Sequence, residues 1–486
     1  MDQSETPLFT ALRSYAELNA GYFRIPGHRF ERGMPEAFRR FAGDGVFKLD
    51  VTETPLTDDL HNPETVIKRA QELAARAFGA DKTFFLVNGS TCGIQTMIIS
   101  TAREGEKILV SRNAHRSVMD GLILSGARPV YAVPETLDFP GIPGGMAPVT
   151  VERMLDIHPD CRGVFLVSPS YYGICCDLGA ISKITWERQV PLLVDEAHGA
   201  HFYFHPDFPP GALTLGADCV VQSMHKVGNS LTQSSLLHLR TSLLNPDRVR
   251  QALRLTQSTS PSYILMASLD LARQDLALRG RDLLDRSLET SDWIRRGIAG
   301  IEGLSCVDRD VAGTHAVFAL DRTRLVINFD RIKITGFQAR QRLWEEYRID
   351  VEMADQRNLV LNITFGNTPE EAQALVAALK DLSQKAGPSR DKGGFKAVFP
   401  ELPPQAMTPR QAWLTTPEKV PWSEAKGRIA GEMAAPYPPG IPLIYPGEII
   451  TQEIWEYLED CRTGNRHLNG PSDPRLTSFL VLPEGD

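Results

Sequence analysis

Two charged residues at the ends of apolar runs carry the chemical argument. Asp195 closes the run PLLVD at 191–195, and Lys226 stands three residues past the run DCVVQS at 218–223. Such runs read as buried strands, and in an α/β chain ligands gather at the carboxyl ends of strands. A carboxylate and an amine at two strand ends suit pyridoxal phosphate. That cofactor needs a lysine for its Schiff base and an acid to keep its ring nitrogen protonated. It also needs a phosphate cradle, and NGSTCG at 88–93 offers one. Gly89 allows close backbone approach, and Ser90 and Thr91 open a helix whose N-terminus favours an anion. His115 opens the helix after the run KILVS at 107–111 and can stack on a pyridine ring.

The elements that must hold these residues follow from patterning. PETVIKRAQELAARAFG at 63–79 has Val66, Ala70, Leu73, Ala74 and Ala77 on one helical face. Short apolar runs at 83–87, 107–111, 128–133, 163–168, 190–196 and 218–223 alternate with helical stretches. This is the α/β class with a mainly parallel sheet. Helices are expected from 246 to 300. Strands at 315–320, 324–329 and 358–365 with helices near 336–347 and 368–386 then predict a smaller α+β unit. GPSRDKGGF at 387–395 reads as a linker. The implied organisation is an N-terminal segment over 1–50, a large cofactor domain over 51–300, a small α+β domain over 301–386 and a C-terminal domain over 387–486. Prolines crowd the tail, with Pro436, Pro438, Pro439, Pro442 and Pro446 leading to Glu448. That block reads as a rigid extended segment within a largely irregular tail carrying one or two helices.

Over nearly its whole length the chain resembles the fold-type-I, pyridoxal-phosphate-dependent Orn/Lys/Arg decarboxylase family, in a short form without an N-terminal wing. The resemblance rests on PGHRF at 26–30, DVTETPLTDDLHNP at 50–63, FFLVNGSTCG at 84–93, SRNAHRSV at 111–118 and SPSYYGICCDL at 168–178. It continues through DEAHGAHFYFHP at 195–206, SMHK at 223–226, LTQSSLLH at 231–238, TSPSYILMASLDLAR at 259–273 and PYPPGIPLIYPGEIIT at 436–451. It implies that Lys226 is the Schiff-base lysine, that Asp195 pairs with the pyridinium nitrogen, and that His115 and Ala197 cover the two ring faces. Ser90, Thr91, Ser223 and His225 become phosphate contacts beside the cofactor-binding Gly89, and His198 sits beside the Lys–Asp pair. It further implies at least a homodimer with shared active sites, the TSPSY block reaching a neighbouring subunit.

The implied reaction is decarboxylation of a basic amino acid, with arginine favoured over lysine and ornithine. A buried distal cation needs an acid, and Glu448, Glu432, Glu53 and Asp59 are the candidates. Two departures keep a second reading open. Arg29-Phe30 follows PGH where a lysine and a small residue are common, and Met224 stands in SMHK where Thr or Ala is common. The second reading is a lyase or cyclase acting on the side chain of an arginine derivative, with the carboxylate retained.

Composition limits the alternatives. The chain has 486 residues, 42% of them hydrophobic and 23% charged, enough for a large core. Lys+Arg is 52 against Asp+Glu 60, a net charge of -8, which argues against nucleic-acid or anionic-membrane binding. Seven scattered cysteines without a CxxC predict reduced thiols in a cytoplasmic protein, with Cys175-Cys176 as core packing. His198, His201 and His205 lack the paired cysteines or further histidine of a metal site, so no metal is expected.

Overall fold

The computed structural model describes residues 1–18, 21–137, 139–389, 401–436, 442–464 and 468–483. The chain forms two compact units, neither continuous in sequence: residues 1–101 with 189–283, and residues 102–188 with 284–486. These units cut across the consecutive segments expected from the sequence. The reason is visible in the first unit, where the strand Lys82–Leu86 pairs with a strand about 150 residues later.

In the first unit, Lys82–Leu86 pairs antiparallel with Ser235–Leu239, which pairs antiparallel with Cys219–Gln222, which runs parallel to Leu192–Asp195. Leu192, Leu193, Val194, Cys219, Val220 and Val221 are all fully buried. Apolar runs without alternation therefore mark strands covered on both faces. The helix Val66–Phe78 ends on Gly79, whose left-handed conformation (φ +76°) lets the chain turn into Lys82–Leu86. The helix Gly89–Thr101 begins directly after that strand.

Ser235–Leu239 is a strand that the periodicity does not announce. It carries His238 inside a fully buried stretch. That imidazole is satisfied on both sides, by Thr83 Oγ1 at 2.7 Å and Gln222 Oε1 at 3.0 Å.

In the second unit, Lys107–Ser111 runs parallel to both Arg128–Ala132 and Cys161–Val167. Of the expected strand at 315–320 only Ala319–Leu320 forms, because His315 and Ala316 adopt positive φ. The α+β part is a four-stranded sheet ordered Ser305–Cys306, Arg324–Asn328, Asn358–Asn362, Met353–Ala354. Helices Gly336–Tyr347 and Pro369–Ala386 each start at a reciprocal capping box, Thr335 with Gln338 and Thr368 with Glu371. Ile298, Leu325, Ile327, Leu343 and Leu379 meet in their core.

The tail is more regular than its sequence suggests. Besides helices Pro409–Leu414 and Gln452–Thr463, Ser478–Leu482 pairs antiparallel with both Glu418–Pro421 and Ile429–Ala430. These strands are short and about fifty residues from their partners, so no local alternation betrays them. Pro436 lies in a two-residue strand paired with Leu468–Asn469. Pro438, Pro439 and most of the expected linker at 387–395 lie outside the described residues. No helix among the described residues is long and apolar enough to cross a membrane. All seven cysteines are free thiols, six of them buried, with Cys175 and Cys176 among them. Burial pushes the Cys176 thiol up to about 11, which keeps it protonated and unreactive.

Candidate active site

Asp195 is the last residue of its strand and 5% exposed. Its Oδ1 accepts the Ala197 backbone N–H at 3.0 Å, which folds the turn back over the strand end. His198, on the same turn, is buried, and its Nε2 lies 3.0 Å from Lys226 Nζ. Lys226 belongs to the one-turn helix Met224–Val227 that follows Cys219–Gln222. The parallel pairing of the two strands thus sets the carboxylate turn beside the lysine turn.

The NGST segment joins the same place. Ser223 Oγ donates to Ser90 Oγ at 2.9 Å, tying the start of the lysine turn to the start of the helix Gly89–Thr101. Gly89 has φ +74°, a left-handed conformation that L side chains adopt only with strain. Gly93 is equally constrained for a different reason. A Cβ there would come within 2.6 Å of Val221 Cγ2 and 2.8 Å of Leu86 Cδ1, so only glycine lets the helix lie this close to the strands. His225 points its Nδ1 at Ser234 O, 3.1 Å away, and burial lowers its pKa.

This set of groups fits pyridoxal phosphate: an amine, a carboxylate at the neighbouring strand end, and two serine hydroxyls at a helix N-terminus. Gly89, Ser90, Thr91, Asp195, Ala197, His198, Ser223, His225 and Lys226 all belong to the first unit. His115 belongs to the second, at the start of the helix Ser117–Ser125, its Nδ1 2.8 Å from Ser117 Oγ.

The candidate substrate acids separate into two pairs. Glu448 is 1% exposed, and both its oxygens are engaged by Arg112, at 2.6 and 2.8 Å. Glu432 is buried and accepts the backbone N–H groups of Ser472 at 2.6 Å and Leu480 at 2.8 Å. Both carboxylates are thus committed within the second unit. Glu53 is exposed, and Asp59 accepts the His61 N–H at 2.8 Å. In the TSPSY block, Tyr263 is fully buried within its own chain and its hydroxyl donates to Asp58 O at 2.5 Å.

Both departures from the usual motifs have packing causes. Met224 is fully buried, its side chain filling the space over Gly228. Phe30 packs on Tyr22 and Tyr15, with ring centres 4.8 and 6.3 Å apart, and Arg29 lies over Tyr22. Among the described residues no group of three His, Cys, Asp or Glu is gathered as a metal site. His201 instead packs edge-on against Phe202 and Phe208.

Sequence reasoning passed over a buried polar chain beside this site. Glu196 accepts hydrogen bonds from Gln222 Nε2 at 2.7 Å, Tyr203 Oη at 2.8 Å and the Ala212 N–H at 2.7 Å. Burial outweighs these bonds and raises the Glu196 pKa to about 7. The available signal was a polar residue next to each site residue, Glu196 after Asp195 and Gln222 before Ser223.

The architecture is that of the fold-type-I α/β class, to which many pyridoxal-phosphate enzymes belong. The chain belongs to the Orn/Lys/Arg decarboxylase family: residues 6–335 match that family's major domain and residues 393–473 its C-terminal domain. By family it is an amino-acid decarboxylase. It is 42% identical to an arginine decarboxylase of Halalkalibacterium halodurans, over 99% of this chain and 98% of that one. It is 40% identical to an arginine decarboxylase of Bacillus subtilis, over 100% and 99% of the two chains. The structure of the constitutive lysine decarboxylase of Escherichia coli shares the fold, with a TM-score of 0.83 at 21% identity, covering 99% of this chain and 82% of that one.

Proposed function

We propose that the protein decarboxylates L-arginine to agmatine and CO₂ with pyridoxal phosphate bound at Lys226. The observation that carries the substrate is the similarity to arginine decarboxylases at about two identities in five along the full chain. When bound, the cofactor supplies an electron sink for the bond to the departing carboxylate.

The chain's own residues do the rest. Asp195, buried at its strand end, holds the proton on the ring nitrogen. Lys226 would anchor the cofactor, and its Nζ is the atom placed to carry a proton. His198, 3.0 Å away, takes or returns that proton. Gly89, Ser90, Thr91, Ser223 and His225 would hold the phosphate, and His115 and Ala197 would serve the two ring faces. Of the four candidate acids, Glu53 and Asp59 are better suited to the distal guanidinium, since Glu448 is already neutralised by Arg112 and Glu432 is taken up by backbone amides. The protein works in the cytoplasm as at least a homodimer with shared sites.

The side-chain lyase or cyclase reading is not favoured. The two relatives at about 40% identity described above are named arginine decarboxylases, and Met224, Arg29 and Phe30 are accounted for by packing. Incubation with arginine, lysine, ornithine and hydroxyarginine, with CO₂ trapping and product masses, tests the proposal. Agmatine and CO₂ from arginine are expected; a product that keeps its carboxylate would overturn it.

A further inference from the structure

Arg112 directly follows the strand Lys107–Ser111 and precedes His115 by three residues. It is 6% exposed. Its guanidinium meets Glu448 in a two-pronged pair and also donates from Nη2 to Leu443 O at 2.9 Å. Glu448 Oε2 in turn accepts the Tyr445 N–H at 2.7 Å. The guanidinium carbon lies 4.6 Å from the ring centre of Tyr131 and 4.5 Å from that of Tyr445, and the two rings stack at 5.5 Å. Tyr131 sits on the neighbouring strand, whose Ala132 O accepts the Arg112 N–H at 2.7 Å.

A buried planar fork of this kind cannot move without stranding a carboxylate and losing two ring contacts. The segment entering His115 is therefore pinned at Arg112. It is pinned again at the far side, where His115 O accepts the Val118 N–H at 3.0 Å and Nδ1 meets Ser117. Ala114, between them, is buried, with its N–H on Ser111 O at 3.0 Å. Few conformations remain to a segment held so closely at both ends.

We propose that Glu448, acting through Arg112, is a positioning residue for His115, so that the tail sets the angle at which that ring is presented. This rests on the reading of His115 as the residue that covers one face of the cofactor ring. It gives the acid of the proline-rich tail a task remote from substrate.

The test compares holoenzyme variants Glu448→Gln, the charge-free pair Arg112→Met with Glu448→Leu, and His115→Ala. The readouts are visible circular dichroism of the bound cofactor, kcat and KM for arginine, and far-ultraviolet dichroism for folding. Glu448→Gln should alter the cofactor's dichroism in the direction that His115→Ala does. It should lower kcat about tenfold, with KM changed less than about twofold. If Glu448→Gln does not fold, the double variant carries the same expectation, because removing both charges together leaves no stranded ion. Wild-type dichroism and kcat in a folded variant, while His115→Ala shifts both, would overturn the positioning role. Wild-type behaviour of His115→Ala itself would overturn the underlying reading of His115, and the positioning role with it.

Discussion

Glu196 and Gln222 are joined by a 2.7 Å hydrogen bond at the ends of two adjacent parallel strands, and each is the chain neighbour of a candidate site residue. Glu196 follows Asp195, and Gln222 precedes Ser223. The bond fixes the offset between the strand end that carries the carboxylate and the one that leads to Lys226. Gln222 extends the link to His238, and His238 to Thr83. The chain thus braces the strands that deliver both halves of the site.

This brace should be visible as pH-dependent stability. Burial raises the Glu196 pKa from 4.5 to about 7, so its contribution is full below pH 4.5 and is lost as pH rises to about 7. Burial lowers the His238 pKa from 6.5 to about 3, so its contribution is full above pH 6.5 and is lost as pH falls to about 3. The two slopes oppose each other between 4.5 and 6.5, and a comparison with Glu196→Gln isolates the acid. Across pH 4.5 to 7 the wild type should lose on the order of 3 kcal/mol relative to the variant. Urea titrations at several pH values measure this, and parallel profiles would show that folding does not raise the Glu196 pKa.

Lys226 and Asp195 should fail in different ways. Borohydride reduction should leave cofactor mass on the Lys226 peptide of the wild type and of Asp195→Asn, and none in Lys226→Ala. Turnover should vanish in Lys226→Ala and fall by at least about a hundredfold in Asp195→Asn. Retained turnover in Lys226→Ala would remove the foundation of the site.

His198 sits 3.0 Å from the lysine amine. His198→Asn should keep the cofactor attached, lower kcat by about ten- to a hundredfold and displace the pH profile of kcat. An unmoved profile would reduce His198 to a packing residue.

Gly93 tests the contact that carries the NGST segment, the candidate phosphate loop. Gly93→Ala should destabilise the fold by about 1–3 kcal/mol and weaken cofactor binding, because the helix must retreat from Val221 and Leu86. Adding Val221→Ala should restore part of both losses; a Gly93→Ala protein with wild-type melting and cofactor affinity would show that the helix has room to spare.

The placement of the candidate site residues was legible in the sequence because their signals are local. Asp195 ends an apolar run, Lys226 follows another, and Gly89-Ser90-Thr91 turns directly from strand into helix. The α+β part was legible for the same reason, since the helices Gly336–Tyr347 and Pro369–Ala386 follow their own capping residues. Only the tertiary structure decided the roles of groups whose partners are distant. Glu448 reads as a free acid beside a proline run until Arg112, 336 residues away, claims both its oxygens. His238 reads as a polar interruption until Thr83 and Gln222 turn it into the middle of a buried strand. A strand end can be read from a handful of residues, but a buried charge or imidazole is defined by the partner that satisfies it, and that partner is chosen by the fold.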